Sequence, residues 1–178
     1  PDIYGQHVQP DGSITSGWPG QGAALGVTPR SEYPARVTVG MSGRSYWTWI
    51  QNETDVGLGE SLQLSCRTLS GAVALGWPAD GSVVKGSQTE GGATFLREIQ
   101  LATDGLDGVL IAWQEQDLAY TFGTARALRI LSNGFVAPGW SDSGVVLGLP
   151  RQIPGEFVRK IIPDGTGGGF FEIGRAHV

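Results

Sequence analysis

A six-residue phrase returns three times along this chain: Gly17-Trp18-Pro19-Gly20-Gln21-Gly22, Gly76-Trp77-Pro78-Ala79-Asp80-Gly81 and Gly139-Trp140-Ser141-Asp142-Ser143-Gly144. The tryptophans stand 59 and 63 positions apart (77 − 18 and 140 − 77). A spaced Gly-Trp-x-x-x-Gly has no chemistry of its own. It marks one structural unit used repeatedly, and such units must stack, because a single one cannot bury its apolar face.

Around each Gly-Trp the same four segments follow in order. The first is a short apolar strand after a positive charge: Arg36-Val37-Thr38-Val39, Arg97 to Leu101, and Arg159 to Ile162. A Gly-rich turn comes next, at Gly40 to Gly43, Asp104 to Gly108 and Asp164 to Gly169. Asp-Gly and Gly-Gly pairs supply the positive φ that tight hairpins demand. The second strand is nearly continuous in apolar residues, at Ser45 to Gln51, Val109 to Gln114 and from Phe170 onward, which predicts burial on both faces. The third alternates, at Asp2 to Val8, Ser61 to Arg67 and Ala125 to Leu131, which predicts one buried face and one wet face. Turns at Asp11-Gly12, Ser70-Gly71 and Asn133-Gly134 lead into a fourth strand read as ending in the Gly-Trp, over 13–18, 72–77 and 135–140.

The expected unit is a four-stranded antiparallel meander of about 60 residues, the arrangement of propeller blades. The fold class read from the sequence is all-β: tandem meanders forming a fragment of a β-propeller. Half a blade falls at 1–30, whole blades at 36–90 and 97–150, and another half at 158–171. Composition agrees, since 29 glycines and 10 prolines among 178 residues suit many short strands and turns better than helices. No apolar run reaches the ~20 residues that span a membrane, so membrane insertion is not expected. A net charge of −5 argues against nucleic acid as a partner, because phosphate binding needs clustered Lys and Arg.

Two stretches resemble a known repeat. Ile99-Gln100-Leu101-Ala102-Thr103-Asp104-Gly105, continuing through Gly108 to Gln114, is similar to one found in large secreted bacterial proteins. Asp2 to Val8, with Asp11-Gly12 and Gly17-Trp18, resembles the second half of that repeat. The family is that of bacterial β-propeller repeat proteins, many with C-terminal sorting domains like those of type IX secretion substrates. The resemblance implies an extracellular or cell-surface setting, further blades of the same chain as partners, and no catalytic set to carry over. The last seven residues, Glu172 to Val178, match one frame of a widely used sequencing adapter. They are read as a non-native tail on an open reading frame from shotgun or metagenomic DNA.

Candidate chemistry is sparse. His7 alternates with Val8 on a strand, His177 lies in the suspect tail, and Cys66 sits alone in an alternating pattern, so neither a zinc cluster nor a Ser-His-Asp triad can be assembled. Carboxylates remain. Asp104 and Asp107 share one turn and offer two oxygen ligands, a calcium possibility that lacks any full calcium-loop spacing. Glu115, Asp117, Glu53 and Asp55 follow the second strands. Of six tryptophans, Trp18, Trp77 and Trp140 recur at one position and Trp49 and Trp113 at another, as packing residues would, along with Gly17, Gly76 and Gly139. Trp47 alone has no counterpart, which makes it the candidate for stacking on a sugar. The function expected is a non-catalytic module binding protein or glycan, without cofactor; the rivals are part of a carbohydrate-active propeller enzyme and a structural spacer.

Overall fold

The computed structural model of this chain describes residues 2–52, 59–86, 88–89, 92–119, 121–148, 151–152 and 156–175. Every regular element among them is a strand, and all pairing is antiparallel. A first half-unit pairs β1 (Ile3–Gly5) with β2 (Ala23–Gly26). The second unit is a meander in chain order, β3 (Glu32–Val39), β4 (Ser45–Asn52), β5 (Glu60–Arg67) and β6 (Ser82–Lys85). The third begins with a short β7 (Gln88–Thr89) and runs through β8 (Gly92–Thr103), β9 (Val109–Asp117), β10 (Phe122–Ile130) and β11 (Val145–Val146); β12 (Arg151–Gln152) adds a second short pairing to β10. A last half-unit pairs β13 (Glu156–Pro163) with β14 (Gly169–Arg175). Residues 172–175 are thus strand, and 176–178 lie outside the described residues.

The repetition extends to individual hydrogen bonds. After the third strand of each unit an isolated bridge forms, Val8 to Ile14, Arg67 to Val73 and Ile130 to Val136. The Gly-Trp amide then closes a turn, with Trp18 N donating to Thr15 O, Trp77 N to Ala74 O and Trp140 N to Ala137 O. This corrects the fourth strand. Gly17, Gly76 and Gly139 have φ of 94°, 90° and 85°, a left-handed conformation that ends extended backbone. The fourth strand begins after the second glycine of each phrase, as β2, β6 and β11.

Two further expectations change. Strand β5 is buried along its whole length instead of alternating. Its polar residues are closed off within the stack: Gln63 donates to Ser61 Oγ at 2.8 Å, and Arg67 Nη2 reaches Ala24 O of the first half-unit at 2.7 Å. The first strands also align differently. A bulge interrupts each between Tyr33 and Arg36, Arg97 and Gln100, and Val158 and Lys160. Arg36 therefore matches Gln100 and Lys160, pairing with Thr48, Ala112 and Glu172.

The sheets stack face to face. One cluster joins Tyr46, Leu62, Leu64 and Cys66 of the second unit to Leu96, Val109, Ile111, Leu128 and Ile130 of the third. Another joins Leu110, Ala112, Ala125 and Ala127 of the third to Val158 and Ile161 of the fourth. Strand β9 lies between them and is buried on both faces from Val109 to Glu115, as its apolar run predicts.

Candidate functional site: the contacts between sheets

The recurrent tryptophans do two different jobs. Trp49 and Trp113 are fully buried in the second strands, each under the closing glycine of its own phrase. A Cβ on Gly81 would come 2.7 Å from Trp49 Cη2, and one on Gly144 would come 2.7 Å from Trp113 Cη2. The spacing Gly-Trp-x-x-x-Gly therefore serves two tryptophans, and the second is invisible in the phrase itself.

Trp18 and Trp77 reach into the next unit. Trp18 Nε1 donates to Leu69 O and Trp77 Nε1 to Ser132 O, both at 2.9 Å. Leu69 and Ser132 occupy one position in successive third-to-fourth strand turns, so the latch repeats from unit to unit. The turn glycine sits under the indole: a Cβ on Gly71 would lie 3.0 Å from the Trp18 ring and one on Gly134 3.5 Å from the Trp77 ring. Arg44 Nη1 shares the Ser132 carbonyl at 3.1 Å. Trp140 is half-buried, and its indole N–H has no acceptor among the described residues.

Between first and second strands, Asp104 and Asp164 each cap their own turn: Asp104 Oδ1 accepts from Leu106 N and Gly108 N at 2.7 Å, Asp164 Oδ1 from Thr166 N at 2.7 Å and Gly168 N at 3.0 Å. The Thr166 amide, then its hydroxyl, hold the Asp164 carboxyl below its ordinary pKa. The second unit has Gly40 at this position. Its turn is capped from the neighbouring sheet, where Asp107 Oδ1 accepts from Ser42 N at 2.9 Å and Ser42 Oγ at 2.6 Å. Asp107 stands where the other turns have Gly43 and Gly167, and it holds a φ of 74° to do so. Asp104 and Asp107 consequently face different tasks. Asp104 is fully buried and its second oxygen accepts from Arg129 Nε at 2.8 Å. Among the described residues no three His, Cys, Asp or Glu side chains gather as a metal would require.

The remaining acids are similarly engaged. Glu60 accepts from Leu96 N at 2.6 Å and Arg97 Nη1 at 2.8 Å across the second and third sheets. Glu115 meets Trp113 Nε1 and Arg126 Nε, both at 3.0 Å, and Lys85 Nζ of the preceding unit at 3.8 Å. Asp117 caps the turn at Thr121, which holds its carboxyl low. Glu53 and Asp55 lie outside the described residues. His7 packs edge-on to Trp18 at 6.1 Å, its Nδ1 buried without a partner. Burial pushes the Cys66 thiol up to about 11, and burial with the adjacent thiol raises the Tyr46 hydroxyl, so neither is activated.

Two hollows adjoin these side chains. One of mixed lining, about 430 Å³, lies between the second and third sheets, with Tyr33, Asn52, Glu60, Phe95 and Arg97 on its walls. An apolar groove of about 210 Å³ beside the first half-unit is lined by Trp18, Val37, Val39 and Trp47. Trp47 is half-buried there, its indole N–H turned onto Ser45 Oγ at 2.8 Å and its ring 6.3 Å from that of Trp18. The matching residue of the third unit is Ile111, fully buried between sheets.

The latches, the borrowed cap and the cross-sheet ion pairs escaped the sequence reading. Aligning the three turns holds the signal for one of them: Gly40 against Asp104 and Asp164, and Asp107 against Gly43 and Gly167. No family model matches this chain, and neither does any curated protein or solved structure. Among the described residues no helix is long and apolar enough to cross a membrane.

Proposed function

We propose that this chain is a non-catalytic repeat module of β-propeller type, in a bacterial protein that is secreted or held at the cell surface, and that it binds a protein partner along a rim of turns. The observation that carries this reading is the repeated indole-to-carbonyl latch from Trp18 and Trp77, which fixes one sheet's turns against the next. A catalytic centre keeps charged groups available to its substrate. Here Asp104, Glu60 and Glu115 are each tied by two or more donors of the chain itself. The bacterial and extracellular setting follows from the resemblance of the repeat.

Protein is favoured over glycan by what the rim displays. Met41, Leu69, Leu106 and Phe135 sit on successive turns at the same end of the sheets, 76%, 59%, 56% and 71% exposed. Exposed apolar side chains gathered at one end mark contact surfaces. Trp47 belongs to the groove between sheets, where Ile111 is its buried equivalent. A glycan array probed with this chain and with Trp47→Ala tests the choice. No retention by either is expected; sugar binding lost on Trp47→Ala makes the glycan reading correct instead, and polysaccharide cleavage by the purified chain overturns the non-catalytic one.

A further inference from the structure

We propose that a hollow between the second and third sheets receives an arginine side chain of the protein partner, its guanidinium held between the Asp142 carboxylate and the Val83 carbonyl. The inference rests on the protein-binding reading and names the chemistry that the partner must bring.

One seam of the chain is already filled in this way. Between the first half-unit and the second sheet, Arg67 is 7% exposed. Its Nη2 donates to Ala24 O at 2.7 Å and to Ala79 O at 3.4 Å, one carbonyl from each side. Burial lowers the pKa of this guanidinium, and the nearby Asp80 charge opposes that shift. An arginine of the chain itself therefore ties the fourth strand of one unit to the Gly-Trp phrase of the next.

The next seam has every part of this arrangement except the arginine. Arg67 and Ile130 hold one position: each ends its third strand, bridging to Val73 and Val136 and pairing with Ser45 and Val109. Val83 is the counterpart of Ala24, since it pairs with Gln63 as Ala24 does with Tyr4. Asp142 is the counterpart of Ala79, two places after the tryptophan of its phrase. Ile130 is shorter than arginine and carries no charge. Beside it lies a hollow of about 220 Å³, walled by Trp77, Val83, Leu128, Val136 and Asp142. Sites that enclose whole small molecules run to about 300–1,000 Å³, so this one suits a single side chain.

Its walls match arginine in two parts. Trp77, Leu128 and Val136 offer apolar surface to the stem, and long cationic side chains bury their stems in this way while the head stays polar. Asp142 is exposed and meets no donor or cation among the described residues. Ser141 and Ser143 on either side of it bond to each other. Arg126 reaches the Ser143 and Gly144 carbonyls at 3.4 Å, but Glu115 holds its Nε at 3.0 Å. The open seam thus has a free carboxylate where the filled seam has an alanine. A guanidinium suits it better than an ammonium, because a planar fork of donors can meet a carboxylate and a carbonyl together. The hollow also lies where the partner is expected: Gly134 is in its wall and precedes Phe135 of the rim, which is 71% exposed.

Titration of the isotope-labelled full chain with the blocked tripeptide acetyl-Gly-Arg-Gly-amide, followed by nuclear magnetic resonance, tests this. The Trp77 indole N–H and the Gly134 amide are expected to shift, while the Trp18 indole in the filled seam does not. Asp142→Asn replaces an exposed side chain, keeps the wild-type spectrum and weakens binding on the order of tenfold, the loss of one charge-assisted pair. The same tripeptide with citrulline or lysine in place of arginine binds more weakly. No shift at Trp77, binding unchanged in Asp142→Asn, or equal binding of the citrulline or lysine peptide each overturns the proposal. The glycan array tests the underlying reading separately. A chain that ignores the tripeptide and retains no sugar loses only this inference; sugar retention lost on Trp47→Ala removes the protein-binding reading and this inference with it.

Discussion

Asp107 combines two opposing effects in one residue. Its left-handed backbone is a cost that glycine avoids at the matching positions, and its carboxylate ends the turn of another sheet. Asp107→Ala keeps the strained backbone and removes the cap, so it is expected to destabilise the chain by about 2–3 kcal/mol. Asp107→Gly removes both, and is expected to cost about 1 kcal/mol less than alanine. Urea denaturation of the two variants decides it; glycine more stable than wild type would show that the Ser42 contact is worth less than the strain it requires, and alanine as stable as wild type that the contact adds nothing. A site of this kind is hard to read in a sequence. Asp104-Gly105-Leu106-Asp107-Gly108 looks like a pair of acids facing one ligand, yet the two carboxylates act in different sheets, because the positive φ at Asp107 turns its side chain toward the neighbouring hairpin.

The four-strand unit was legible from its periodicities, since turn glycines and apolar runs act locally. Placement of the fourth strand was not. The alternation in Ser13 to Trp18 and Ala72 to Trp77 resembles a strand, and only the left-handed Gly17 and Gly76 end it, against a turn some fifty residues away (69 − 18 and 132 − 77 give 51 and 55). The latch gives this element its own prediction. Trp77→Phe loses a hydrogen bond to Ser132 O and is expected to cost about 1 kcal/mol. Trp140→Phe removes an indole N–H with no acceptor among the described residues, and is expected to be close to neutral. Thermal unfolding at low protein concentration compares them; equal losses would rule out the latch as the source.

At the scale of the molecule, stability should depend on pH through the core between the second and third sheets. Cys66 and Tyr46 are buried there and favour their protonated forms, with the thiol raised from 9.0 to about 11. Unfolded chain releases the thiol proton above pH 9 while folded chain keeps it, so this contribution is whole below pH 9 and declines toward pH 11. Urea unfolding at stepped pH is expected to show that decline, shallower in Cys66→Ala; an unchanged slope removes Cys66 as a cause. The all-β class and the stacking were foreseeable because a meander cannot bury its own faces. Which contacts hold one sheet to the next was not, since the latches end on main-chain carbonyls that carry no sequence signal and the cap and ion pairs depend on residues that differ between copies. The borrowed cap has a consequence for how such an array can change. A unit that has Gly40 in place of an aspartate keeps only its main-chain turn bonds when moved, duplicated or excised alone: its carboxylate cap is present only while the unit carrying Asp107 follows it. Two copies that look like interchangeable parts are therefore bound to one order, and recombination between them would be filtered by a single hydrogen-bonded serine.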